Sequence, residues 1–128
     1  MSDQSENLWP DDLAAEPGDK PPLVILREQA AKLGEMTKNI VEAHVSTDPW
    51  PDGRLVLRFT LLAPALGGYE YMLFRAFQPA DLYPIDIEWE GGNYRPDDEK
   101  GFKVYLENIF NAARTRKVIS SLIAQSRS

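Results

Sequence analysis

The chain has 128 residues, 43% hydrophobic and 27% charged, which is enough to bury a single core without staples. It has no cysteine, which excludes a disulfide framework, a zinc–cysteine site, an iron–sulfur cluster and a cysteine nucleophile. The net charge of −6 is unevenly placed: residues 1–22 hold six carboxylates against Lys20 alone, or −5, leaving −1 for residues 23–128. A near-neutral body with an acidic arm disfavours nucleic acid and anionic membrane as partners, since both need concentrated positive charge.

The first twenty residues show neither a basic n-region nor an apolar h-region, so no signal peptide is expected. No run approaches the roughly 18 apolar residues of a membrane span. The expected location is the cytoplasm. Pro10, Pro17, Gly18, Pro21 and Pro22 stand among acids and small polar residues, the composition of a disordered or loosely docked arm over 1–22. Leu8, Trp9 and Leu13 are its sizeable apolar groups and its candidate docking residues. A single domain is expected over 23–128.

That domain opens with a helix. Leu23, Leu26, Ala30, Leu33, Ile40 and Val41 recur at spacings near three and four, and the pattern predicts a helix to about Lys38, weakened by Gly34. The period then changes to two. Residues 41–46 alternate apolar and polar side chains and read as a strand with one wet face. The turn Asp48-Pro49-Trp50-Pro51-Asp52-Gly53 leads to a second strand over 54–62, closed by Pro64 and Gly67-Gly68. A third strand over 69–77 is apolar on both faces: Tyr69, Tyr71 and Leu73 on one, Met72, Phe74 and Ala76 on the other. Ile85, Ile87 and Trp89 alternate with acids in a fourth, ended by Gly91-Gly92. Short connections make these four a meander, since no segment supplies a parallel crossover.

A polar loop over 93–101 precedes a helical stripe of Phe102, Tyr105, Leu106, Ile109 and Phe110. Thr115 is the candidate cap of a separate last helix carrying Val118, Ile119, Leu122 and Ile123, with the break placed near Ala113. The expected class is α+β: an N-terminal helix, a four-stranded antiparallel meander, and a C-terminal helix or helical pair on one sheet face. The layout is similar in outline to small acidic bacterial chaperones and immunity proteins, though no motif carries the likeness.

Chemistry-bearing residues are few. His44 is the one histidine, and Glu42, His44 and Ser46 project together from one strand, as any solvated strand face would project them. Asp86, Glu88 and Glu90 also share a side; without a nearby lysine they suit cross-strand ion pairs with Arg58 and Arg75 better than a metal-dependent nuclease. Asp97-Asp98-Glu99 before Phe102 fits helix capping. Neither glycine pair leads into a helix with phosphate-loop spacing. Arg114, Arg116, Lys117 and Arg127 make the C-terminal region basic, which suggests pairing with the acidic arm.

The aromatic residues point furthest. Helices cover one face of the sheet, yet the third strand is apolar on both, so an aromatic patch is expected to meet a protein partner or a second copy of the chain. Trp50, Tyr69, Tyr71, Arg75, Trp89 and Tyr94 are the candidate contacts. The expected function is a non-enzymatic interaction module without metal or cofactor. The alternative is an enzyme or ligand-binding domain built across strands from His44, Arg58, Asp86 and Glu88.

Overall fold

Pro22 opens the first helix, α1 (Pro22–Met36), where the missing N–H would have lacked a partner anyway. Ile25 and Leu26 form its buried stripe. The helix stops two residues short of Lys38 because Lys38 and Asn39 take left-handed φ of 53° and 62°, and the Asn39 N–H bonds back to the Gly34 carbonyl at 2.8 Å. A Cβ on Gly34 would lie 3.0 Å from Asn39 Oδ1, so this glycine makes room for the reversal. The Thr37 hydroxyl fastens the corner: it accepts from the Val41 N–H at 3.2 Å and lies 2.8 Å from the Val41 carbonyl.

The computed structural model describes residues 5–14 and 18–128. After α1 come β1 (Glu42–Pro49), β2 (Leu55–Ala63), a 3-10 turn at Pro64–Leu66, β3 (Tyr69–Gln78), β4 (Asp86–Trp89) and β5 (Gly92–Tyr94). Two helices follow, α2 (Glu99–Asn111) and α3 (Ala113–Ser126). The fold is α+β, with an antiparallel sheet in the order β1-β2-β3-β4-β5.

The sheet has five strands where the sequence predicted four. Glu90 and Gly91 hold φ of 49° and 77° in a two-residue reversal, and Trp89 pairs with Gly92. Two successive left-handed residues match the twist of a hairpin, so the chain folds back where an exit was expected. At the other end, Asp98 caps α2 by accepting from the Gly101 N–H at 2.8 Å. The helical pair breaks at Ala112, whose ψ of 145° is extended. Thr115 is no cap. It is buried inside α3, and its hydroxyl has no hydrogen-bond partner.

The core lies between the sheet and the helices. Leu57, Phe59, Leu61 and Ala63 of β2 face it, with Leu73, Phe74 and Ala76 of β3, Ile87 of β4, and Phe102, Leu106 and Ile109 of α2. The β2–β3 register slips between Phe59 and Thr60: Phe59 opposes Phe74, but Thr60 opposes Met72. Leu73 is therefore the extra residue of a β-bulge, and Leu73 and Phe74 both reach the core. Strict alternation had set Phe74 and Ala76 opposite Tyr71 and Leu73; the slip brings all four to the helix side. Much of the strand's two-faced apolarity is thus a change of phase. Phe77, on the other face, is buried under its neighbours, with Trp50 edge-on at 5.1 Å and the Arg54 and Arg75 guanidinium groups at 4.8 and 5.1 Å.

Candidate functional site

Antiparallel pairing decides which polar side chains can meet on the face without helices. Ser46, Arg58, Arg75, Glu88 and Asn93 stand opposite one another in successive strands. Arg58 and Arg75 are direct neighbours of like charge, and each is neutralised locally, Arg58 by Asp48 at 2.5 Å and Arg75 by Glu88 at 2.6 Å. Arg54 bridges Asp52 at 2.8 Å and Asp86 at 2.6 Å. The hydrogen bond from Arg54 holds the Asp52 carboxyl below its ordinary range.

His44 lies apart from these groups. It pairs across the ladder with Thr60, is solvent-exposed, and has Glu42 at 3.5 Å. Three strand spacings, about 14 Å, separate β1 from β4. The structure therefore does not gather His44, Arg58, Asp86 and Glu88 into one hollow. Among the described residues, no group of three or more histidines and carboxylates could hold a metal ion. The same residues include no helix long and apolar enough to cross a membrane.

The aromatic candidates divide between two faces. Trp50 and Arg75 belong to the open face, where the Arg75 guanidinium sits 5.5 Å from the Trp50 ring. Tyr71, Trp89 and Tyr94 are half-buried against the helix-side core, and Tyr94 leans on Tyr105 of α2 at 5.0 Å. Tyr69 is 50% exposed and Met72 is 49% exposed. The structure thus shows no single aromatic patch: Tyr69 is exposed beside Tyr71 on the helix side, and Met72 is exposed on the other face of β3.

What lies beside those two residues was not foreseen. β3 is ten residues long and pairs with β2 at every residue but the bulged Leu73, whereas β4 covers only Arg75, Ala76 and Phe77. Among the described residues, no strand pairs with the outer edge of β3 over residues 69–74. A hollow of about 420 Å³ opens there, lined by Met72, Leu73, Glu88, Trp89 and Asn93. A second, of about 520 Å³, lies between the start of β3 and α3, lined by Leu66, Tyr69, Tyr71, Lys117 and Val118. Tyr71 borders both. The unequal lengths of the third and fourth alternating runs were the signal available in the sequence for this bare edge.

A third depression, of about 480 Å³, runs between α1 and α3. Its floor is Phe59, Leu61 and Leu73, and its walls include Leu33 and Met36 of α1 and Ile119 and Ile123 of α3. Lys32 and Arg116 stand at its rim. The docking candidates of the arm do not line it. Leu8, Trp9 and Leu13 are 84%, 70% and 60% exposed. The part of the expected arm over 1–4 and 15–17 lies outside the described residues. The arm is fastened at Lys20, whose N–H donates to Glu99 Oε1 at 2.7 Å and whose carbonyl accepts from the Tyr83 hydroxyl at 2.8 Å.

No protein family, curated protein or solved structure matches this chain.

Proposed function

We propose that this chain is a small non-enzymatic protein-interaction module, of the adaptor, chaperone-like or immunity type, that holds a protein partner along the outer edge of β3. The observation that carries this reading is the uncovered stretch 69–74, bordered by Tyr69 and Met72 and by hollows at both ends. An open strand edge presents alternate N–H and C=O groups that a second strand can bond, while side-chain pockets supply selectivity. Proteins ordinarily blunt such edges with lysine, proline or a covering loop. Here the stretch carries Tyr-Glu-Tyr-Met-Leu-Phe. Tyrosine and methionine suit a contact surface, the first as a rigid amphipathic anchor and the second as an adaptable apolar one. The cations of the open face support the same reading, because Arg54, Arg58 and Arg75 are occupied by carboxylates of the chain itself.

A photo-crosslinking residue at Tyr69, compared with one at exposed Glu107 on α2, tests the proposal in cells that express the full chain. A discrete protein adduct from position 69 but not 107 is expected, and Tyr69→Asp with Met72→Asp removes that partner from a pull-down. Equal crosslinking from both positions, or substrate turnover by the purified chain that Glu88→Gln abolishes, overturns it.

A further inference from the structure

Charge and apolar surface are both left uncompensated at two places in this chain, and the two are complementary. α3 and the residue after it carry Arg114, Arg116, Lys117 and Arg127 without one carboxylate. Among the described residues none of these four makes an ion pair. Lys32, across the α1/α3 groove from Arg116, also has none. Residues 5–14 carry Glu6, Asp11 and Asp12 with no cation, and these acids are likewise unpaired. The same ten residues hold Leu8, Trp9 and Leu13 in water, while the groove offers an apolar floor with a basic rim.

We infer that the α1/α3 groove is the docking site for residues 7–13 of a second copy of this chain. Trp9 and Leu13 fill the space above Phe59, Leu61 and Leu73, and Asp11 and Asp12 meet Lys32 and Arg116. Two apolar side chains that cost free energy in water become buried, and Asp11, Asp12, Lys32 and Arg116 gain partners of opposite sign. Met36, 83% exposed on the groove wall, can adjust to the indole.

The occupant is taken from another copy because the chain's own arm stays exposed outside its groove. Its anchor at Lys20 sits beside Glu99, at the N-terminal ends of α1 and α2. The groove opens at the other ends, beside Met36 and Phe110. In the single chain Leu8, Trp9 and Leu13 stay exposed, and none of them lines the groove. Two copies exchanging arms about a two-fold axis satisfy both sites at once. Leu73 borders both sites, but Trp9, Lys32 and Arg116 line neither hollow at the β3 edge, so either reading can fail alone.

Isotope mixing tests this on the full chain. The absence of cysteine lets Ser120→Cys, beside the groove, carry a single nitroxide. A ¹⁵N-labelled chain without nitroxide is mixed with unlabelled chain bearing it. Broadening of the amide signals of residues 7–9 and 11–13 is expected in this mixture, together with a dimer by sedimentation. Trp9→Ala raises the dimer dissociation constant at least tenfold. Lys32→Glu with Arg116→Glu does the same, and reversing Glu6, Asp11 and Asp12 to lysine restores it. Broadening only when isotope and nitroxide share one chain, or no broadening at all, overturns the inference.

Discussion

Phe59 and Phe74 oppose each other across the β2–β3 ladder with rings stacked 5.2 Å apart and inclined by only 8°, and the ladder slips one residue immediately beyond them. Phe110 of α2 closes over the pair, 5.5 Å from one ring and 6.4 Å from the other. Sheet and helix layers meet at this cluster, next to the bulge that turns Leu73 inward. Phe74→Ala removes its centre and is expected to lower stability by about 3–5 kcal/mol, the range for emptying a buried phenylalanine site. Denaturant unfolding measures it, and a loss under about 1 kcal/mol would mean the core can close without that ring.

The reversal at Glu90-Gly91 places a side chain where backbone geometry disfavours one. Glu90→Asn is expected to stabilise the chain by about 0.5–1 kcal/mol, because asparagine tolerates the left-handed region and Asn-Gly is the preferred pair in this turn. Gly91→Ala should cost about 1 kcal/mol although nothing lies within 4 Å of the added Cβ, since φ of 77° is strained for alanine. Thermal unfolding of both variants checks the opposite signs.

Thr115 buries a hydroxyl that bonds to nothing. Thr115→Val keeps the branched shape and deletes the unpaired polar atom, so a gain of about 1 kcal/mol is expected. A loss in the same unfolding measurement would reveal a partner for the hydroxyl in solution.

Two groups at the arm's anchor respond to pH in opposite directions. Lys103 and the Lys20 N–H hold the Glu99 carboxyl below its ordinary value of 4.5. A depressed carboxyl contributes stability that is present above that value and is lost as pH falls through the lower, folded-state value. Burial, reinforced by Glu99, Asp19 and Asp98, pushes the Tyr83 phenol above 10. A raised phenol contributes stability that is intact below pH 10 and is lost as pH rises through the folded-state value. Carboxyl NMR should therefore find Glu99 titrating below the ordinary carboxylate range on acidification, and tyrosinate absorbance compared with Tyr83→Phe should find Tyr83 ionising above the ordinary phenol value. Glu99→Gln should flatten the acid limb of the stability profile.

Much of the architecture was legible because it follows from local rules. The change of period from 3.6 to 2 after residue 40 marked α1 and β1, and the acids before Phe102 marked the cap of α2. The missed elements depended on partners that local patterns do not reveal. β5 is only three residues long, and its signal was a two-residue turn that also reads as an exit. The bulge at Leu73 could not be read from β3 alone, because a register slip is a property of two strands. It made the strand look apolar on both faces, so the six expected contacts Trp50, Tyr69, Tyr71, Arg75, Trp89 and Tyr94 were grouped as one patch although they divide between two faces. The bare edge was half visible, since a nine-residue alternation followed by a five-residue one cannot pair in full.

Replacing Tyr69 and Met72 by aspartate should lower stability by about 1–3 kcal/mol, because both side chains are about half exposed and aspartate is disfavoured in a strand, and the chain should still fold. The same pair of changes should abolish capture of the partner, which separates a contact role from a structural one. Unfolding curves and pull-downs on one preparation decide it.

Amide hydrogen exchange of the full chain, alone and bound to the partner crosslinked from position 69, examines the edge directly. Amides of residues 69–74 that β2 leaves free should exchange at least tenfold more slowly in the complex, as they do when a strand is added. Unchanged exchange over 69–74, with protection confined to other surfaces, would contradict partner binding along β3.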